Sequence, residues 1–116
     1  MIPLTSAPEE RKMFESILSV AINEYKINEK INNTLKECVI QLVWEESNKD
    51  KYKNIDDNTM SMCEAKAYEE CCRHAQNFNS EVSNKPISYL GQLIRCAFVN
   101  VIKKQCCYKI IKEELE

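Results

Sequence analysis

Glycine and proline are scarce in this chain of 116 residues, which contains one glycine and three prolines. Sandwiches and barrels of β-strands need turn-forming residues at short intervals, so this shortage argues against both. Leu, Ile, Glu, Lys, Asn and Ala are abundant instead, and most of them favour helices. The length suits one domain rather than two. We therefore predict an all-α fold, a single compact domain of about four helices that spans residues 1–116.

Long apolar runs are also missing. No stretch approaches the roughly 20 residues that cross a bilayer, and the N-terminus shows no basic segment followed by an apolar core. We therefore expect no membrane partner and a cytoplasmic location.

Motifs for metal binding and catalysis are absent from the sequence as well. Its seven cysteines form no pair with the two- to four-residue spacing that zinc modules use. Their odd number favours free thiols, and Cys63, Cys71 and Cys96 are expected in the core as small hydrophobic residues. The single histidine is His74, and there is no glycine-rich phosphate loop. We expect no enzymatic activity, no metal and no cofactor.

Acidic residues are missing from one long stretch. From Lys85 to Lys112 the chain has six Lys or Arg and no Asp or Glu, whereas all 18 acidic residues and 10 basic ones lie elsewhere. Apolar residues recur through this stretch at helical intervals, which predicts a helix that is buried on one side and cationic on the other. Such a helix is suited to docking on a phosphate backbone. The pattern predicts a helix that lies on nucleic acid.

Helical periodicity and capping residues predict four helices. The first covers about Pro8–Tyr25, the second begins at Asn33 or Thr34, the third begins after a cap at Asp57 or Asn58 and reaches Phe78, and the fourth begins at Pro86. Residues 1–7 are expected to form a loose lead-in, and residues 47–58 and 79–85 to form loops. Trp44 and Phe98 are expected in the core.

The junction between the last two helices carries a family resemblance. Phe78 is followed after eleven residues by Tyr89, and then by Ile94, Arg95, Ala97, Phe98, Ile102 and Lys103. This spacing resembles the second conserved region of bacterial sigma factors. Residues 60–105 are most similar to the late-transcription sigma factors of T4-like bacteriophages, with residues 106–116 as a C-terminal helix extension. The residues shared with that family are Asn77, Phe78, Pro86, Tyr89, Gln92, Ala97, Phe98, Val99, Ile102, Lys103 and Lys104.

The resemblance implies a sigma region 2-like fold and a transcription initiation factor. Such a protein binds the core RNA polymerase through the clamp helices of the largest subunit and directs it to A·T-rich −10-type promoters of late phage genes. The polymerase-binding residues implied here are Lys66, Glu69, Cys72 and Arg73. The implied DNA-binding residues are Lys85, Ser88, Tyr89, Gln92, Arg95, Asn100, Lys103 and Lys104. Tyr89 would stack on an unpaired base, a contact worth about 1–3 kcal/mol.

The sequence also differs from the housekeeping sigma factors at two places. Gln92 and Leu93 stand where housekeeping sigma factors have two tryptophans, and the phage-type factors lack that wedge too. The clamp-docking motif of housekeeping factors is poorly kept at Ser61–Lys66. A second viral factor is expected to supply upstream promoter contacts, and a phage-encoded chain would act in the host bacterial cytoplasm.

Alternative interpretations stay open at this point. Periodicity alone favours Tyr89 as a half-buried helix aromatic, and Arg95 could be a solvated residue or brace the third helix through Glu69 or Glu70. A second function is a small helical adaptor that binds a protein through the fourth helix and regulates polymerase without contacting DNA. The two functions differ in salt dependence, because phosphate contacts weaken as salt rises.

Overall fold

Four helices make up most of the chain in a computed structural model, which describes residues 8–79 and 85–115, with side chains from 9 to 79 and from 85 to 107. The helices are α1 (Pro8–Asn28), α2 (Asn33–Ser47), α3 (Asp57–His74) and α4 (Pro86–Leu115), with short 3-10 turns at Asp50–Tyr52 and Ala75–Asn77. No strand occurs in these ranges, so the all-α prediction with four helices is confirmed. The expected lead-in at 1–7 and residues 80–84 of the second predicted loop lie outside the described residues.

Side-chain caps fix where α2 and α3 begin. The side chain of Asn32 accepts a hydrogen bond from the Leu35 backbone N–H at 2.8 Å and donates one to the Ala21 carbonyl at 2.9 Å, which ties the start of α2 to α1. The Asp56 side chain accepts from the backbone N–H of Thr59 at 3.2 Å and from its hydroxyl at 2.7 Å. The cap of α3 is therefore Asp56, and not Asp57 or Asn58 as predicted.

A single core lies between the four helices, and α4 supplies its centre. Phe98 is fully buried, as predicted, and its ring lies 5.1 Å from that of Tyr52. Tyr52 comes from the 3-10 turn in the first predicted loop, so this loop contributes to the core. The buried apolar residues of the helices are Leu18, Ala21, Ile22, Leu35, Cys38, Val39, Leu42, Val43, Cys63, Ala67, Cys71, Ile87, Leu90, Ile94, Ala97 and Phe98.

Two residues expected in the core lie on the surface instead. Trp44 is 51% exposed, and Cys96 is also exposed, whereas Cys63 and Cys71 are buried as predicted. Trp44 lies two positions after the buried Leu42, and Cys96 two positions after the buried Ile94. Residues two positions apart in a helix point about 200° apart, so these two side chains point away from the core. The residue type suggested burial, but the helical phase decides against it.

The lengths of the helices differ from the prediction at two ends. α1 continues past Tyr25 to Asn28, and α3 stops at His74, so that Phe78 follows a 3-10 turn. α4 has 30 residues and is therefore about 45 Å long, close to the 52 Å extent of the molecule. From Lys103 to Cys107 none of its described side chains is buried. Among the described residues no helix is long and apolar enough to cross a membrane.

Candidate nucleic-acid interface

The outer face of α4 carries the residues for which DNA contacts were predicted. All of them except Tyr89 are exposed. Lys85 directly precedes the helix, and the others lie on the half of its circumference that faces away from the core. These exposed residues are Lys85, Ser88, Gln92, Arg95, Asn100, Lys103 and Lys104. The opposite side of the helix supplies Leu90, Ile94 and Phe98 to the core. Their role in binding stays a prediction, since exposure alone does not identify a ligand.

Three of the cations on this face form no ion pair within the described part of the chain. Among the described side chains, no carboxylate forms a salt bridge with Arg95, Lys103 or Lys104. Ion pairs are found instead on α3 and at the end of α2. Within the described residues no ion pair cancels these three charges, and like charges in a row produce a positive potential that attracts an anionic polymer.

A cleft of about 410 Å³ lies where the chain passes from α3 to α4. Four of its lining residues were predicted to bind DNA, and two asparagines join them. The lining residues are Asn77, Phe78, Asn79, Lys85, Ser88, Tyr89 and Gln92. Amide and hydroxyl groups can read the edge of a base, and Lys85 can contact a phosphate. The cleft thus combines apolar rings with polar groups, as a site for a nucleobase requires.

Tyr89 forms one wall of this cleft and is half-buried. Its ring lies 5.4 Å from that of Phe78 at an angle of 48°, and its hydroxyl donates to the His74 carbonyl at 3.1 Å. Burial, with a smaller contribution from the thiol of Cys71, raises the pKa of the Tyr89 hydroxyl, so the group stays protonated as a donor. The half-buried position matches the alternative interpretation from periodicity. Base stacking by the exposed part of the ring remains a prediction.

Sequence reasoning missed Asn77 and Asn79 as possible site residues. Both are exposed and flank Phe78, whose carbonyl accepts a hydrogen bond from the ammonium group of Lys26 on α1. The Asn77 amide also approaches the Nδ1 atom of His74 at 3.3 Å. Asn77 is one of the residues shared with the sigma family and lies next to Phe78. That position could have identified it as a site residue from the sequence.

Arg95 does not brace α3. Glu69 pairs with Arg73 at 3.2 Å, and Glu70 pairs with Lys66 at 3.1 Å. Arg95 lines a different cleft of about 250 Å³, between α4 and the ends of α1 and α2, together with Arg11 and Glu45. The bracing interpretation is therefore wrong, and Arg95 is a solvated cation beside this cleft.

Glu46 also lines this cleft, where it is buried and accepts hydrogen bonds from three side chains. Its carboxylate accepts from Lys49 at 2.8 Å, from Lys51 at 3.3 Å and from the Tyr52 hydroxyl at 2.6 Å. Burial acts to raise the pKa of Glu46, but these hydrogen bonds outweigh it and hold the pKa below its ordinary value. This carboxylate is therefore ionised, and its hydrogen bonds to Lys49, Lys51 and Tyr52 leave it unavailable to a ligand.

The predicted polymerase-binding residues fall into two groups. Lys66, Glu69 and Arg73 are exposed on one side of α3. Cys72 is half-buried, and its carbonyl accepts a hydrogen bond from the Tyr25 hydroxyl at 3.0 Å. Burial raises the pKa of the Cys72 thiol. The backbone of α3 at Cys72 therefore meets α1. The side chain of Cys72 lies about 60° around the helix from that of Glu69 and about 100–120° from those of Arg73 and Lys66.

The predicted polymerase and DNA surfaces adjoin along a groove between α3 and α4. The groove has a volume of about 490 Å³ and contains Lys66 and Glu70 from α3 and Asn100 and Lys104 from α4. A partner bound on one surface would therefore lie beside a ligand bound on the other. Among the described residues, no cluster of His, Cys, Asp or Glu is suited to hold a metal ion.

No protein-family model, curated protein or solved structure matches this chain. The case for a function therefore depends on the residues and on their geometry.

Proposed function

We propose that this chain is a sigma-like transcription initiation factor. It binds the core RNA polymerase and directs it to A·T-rich −10-type promoters, such as those of late phage genes. The observation that carries this proposal is the outer face of α4, where Arg95, Lys103 and Lys104 are exposed and unpaired among the described residues. A row of unneutralised cations on a rigid helix supports contact with a phosphate backbone.

The cleft beside Tyr89 has a separate role in this proposal. It is wide enough for one unpaired base, and the ring of Tyr89 offers a stacking surface at its wall. Gln92 and Asn77 provide amide groups for the edge of an adenine. The phosphate contacts then give affinity, while the cleft selects the base that has left the duplex.

The outer face of α3 is the proposed contact with polymerase. Lys66, Glu69 and Arg73 present mixed charges there, which suits a polar interface with a charged partner helix. A second factor is expected to supply upstream promoter contacts.

An adaptor that binds a protein through α4 is the other candidate, and the surface of α4 gives it little support. A protein interface needs a buried apolar centre. Val99, at 42% exposure, is the one large apolar side chain of α4 that is exposed among those described. The polar and cationic groups around it favour nucleic acid as the ligand of this face.

The test combines binding and initiation. The chain is mixed with a bacterial core RNA polymerase, and co-purification is followed by run-off transcription on an A·T-rich phage template. We expect a stable complex and specific initiation. Tyr89→Ala should reduce initiation about tenfold or more, because base stacking contributes about 1–3 kcal/mol. It should leave co-purification unchanged, because Tyr89 is not on the outer face of α3.

Tyr89→Phe is the matched control, since it keeps the ring and removes only the hydroxyl that donates to His74. Its initiation should stay close to that of the original chain. Complex formation without initiation would favour the adaptor or a missing partner chain. Failure to bind polymerase would contradict the proposal.

A further inference from the structure

Besides its buried core face, α1 has an exposed row of apolar side chains, called the stripe below. Met13, Ile17, Val20 and Ile27 are 61%, 46%, 58% and 79% exposed, and Glu24 lies between the last two. Successive members are four, three, four and three positions apart, which is the spacing of a helix that packs along a partner helix. The core side of α1 is a different face, which buries Leu18, Ala21 and Ile22. The stripe is therefore not needed to hold α1 on its own domain.

The stripe differs from scattered surface residues. Six of the eight exposed large apolar side chains of the described chain lie on α1 and α2, and four of these form the stripe. A shallow groove of about 290 Å³ runs beside it, lined by Ile17, Val20 and Glu24 of α1 and by Thr34 of α2. Contiguous exposed apolar surface of this kind is typical of a protein interface.

Glu24 indicates which kind of helix fits. In a parallel pair of two copies, Glu24 would face Glu24, and the like charges would repel. In an antiparallel pair of two copies centred on Val20, Glu24 would face Ser16, which carries no positive charge to balance the carboxylate. A helix with a Lys or Arg at this level would satisfy the carboxylate and keep the apolar contacts.

We infer that α1 binds an amphipathic helix of another protein, one with an apolar stripe and a basic residue opposite Glu24. None of the stripe residues belongs to the proposed DNA or polymerase contacts, so the two proposals fail or succeed separately. The stripe occupies a different face of α1 from its core contacts, and the buried Ala21 lies at the border between the two faces.

Two designed helical peptides provide the probe. Both carry Leu or Ile at the stripe positions, and they differ only at the position opposite Glu24, which is Lys in one and Glu in the other. Fluorescence anisotropy with the full chain should show that the Lys peptide binds roughly tenfold more tightly, because like charges at this position repel. Glu24→Lys should reverse the preference, and Val20→Asp should remove the binding of both peptides.

Ile40→Asp is the matched control, because Ile40 is 46% exposed on α2 and lies outside the stripe. It should leave both affinities unchanged. Circular dichroism checks that each variant is folded, which is expected because all these side chains are exposed. The inference is overturned if neither peptide binds, or if Glu24→Lys does not change the preference. It is also overturned if sedimentation shows a dimer that Val20→Asp dissociates, since a second copy would then cover the stripe.

Discussion

The outer faces of α3 and α4 lie side by side, but the charged side chains of α3 form ion pairs with one another and the described cations of α4 do not. On α3, Glu70 pairs with Lys66 at 3.1 Å and with His74 at 3.1 Å, and Glu69 pairs with Arg73 at 3.2 Å. On α4 the exposed cations have no carboxylate partner among the described side chains. One face is neutralised within its own helix, and the other keeps its charge.

This difference affects both the sign of the electrostatic potential at each face and the distance over which it acts. Paired charges cancel beyond a few ångströms, so the α3 face acts only at contact. Unpaired like charges add, and their potential extends over about one Debye length, roughly 8–10 Å at physiological salt. The α4 face is therefore suited to attract a polyanion from solution, whereas the α3 face is suited to recognise a partner that is already close.

Reversing the charge of α4 should have the largest effect on DNA binding. Lys103→Glu with Lys104→Glu removes two phosphate contacts and adds two repulsions. In the complex with core polymerase, affinity for fork-junction DNA should fall on the order of 100-fold, and the slope of log affinity against log salt should become shallower by about 2. Fluorescence anisotropy across a salt series measures both quantities.

Lys12→Glu with Lys30→Glu makes the same change in net charge at two exposed positions outside α4. It should weaken binding only slightly. Equal losses in the two double variants would mean that total charge rather than the α4 face determines DNA binding.

A milder change gives α4 an ion pair of the kind found on α3. Asn100→Glu places a carboxylate four positions before Lys104 and in the groove that also contains Lys66. The new pair should stabilise the helix by about 0.2–0.5 kcal/mol, because Glu followed by Lys at this spacing is favourable. DNA affinity should nevertheless fall roughly tenfold, because the carboxylate neutralises one lysine and repels phosphate. Thermal unfolding and anisotropy give the two results.

Asn100→Gln is the control for this variant, since it keeps the amide and adds no charge. Its DNA affinity should stay within about threefold of the original value, the range expected when one surface polar contact is readjusted. If Gln and Glu weaken binding equally, Asn100 acts by reading a base and not through the charge of its surroundings.

Much of the fold could be predicted because helices follow local rules. Pro86 opens α4, and apolar periodicity correctly assigns Ile87, Leu90 and Phe98 to the core. Trp44 and Cys96 were misplaced because hydrophobicity outweighed helical phase in the prediction. The exact cap at Asp56 depended on which of two adjacent acids reaches Thr59, which composition does not decide.

The candidate site was predicted less completely. The absence of acids from residues 85–112 identified the cationic helix directly from the sequence. The cleft required the three-dimensional structure, because the Tyr89 hydroxyl bonds to the carbonyl of His74, fifteen positions away. The half-buried position of Cys72 likewise depends on how α3 packs against α1.

The smallest expected effect comes from making α3 resemble α4. Glu70→Gln removes the carboxylate that holds Lys66 and His74, so the α3 face becomes more cationic. DNA affinity should rise about two- to fivefold, because Lys66 is released from its ion pair and joins the cations across the groove. Glu37→Gln on α2 removes the same charge from an exposed position that forms no ion pair among the described side chains, and it should have a smaller effect.

The same variant has a defined pH dependence. The hydrogen bond from Lys66 lowers the pKa of Glu70 below its ordinary value of 4.5, despite an opposing contribution from burial. The folded state therefore binds the proton less readily than the unfolded state, and the stabilisation is fully present above pH 4.5. It is lost as the pH falls through the lowered pKa. Denaturant unfolding should show the original chain about 0.5–1 kcal/mol more stable than Glu70→Gln near neutral pH. The two should converge in acid, since a protonated Glu70 no longer differs in charge from glutamine. A difference that persists unchanged in acid would mean that Glu70 acts through packing and that the α3 ion pairs contribute nothing.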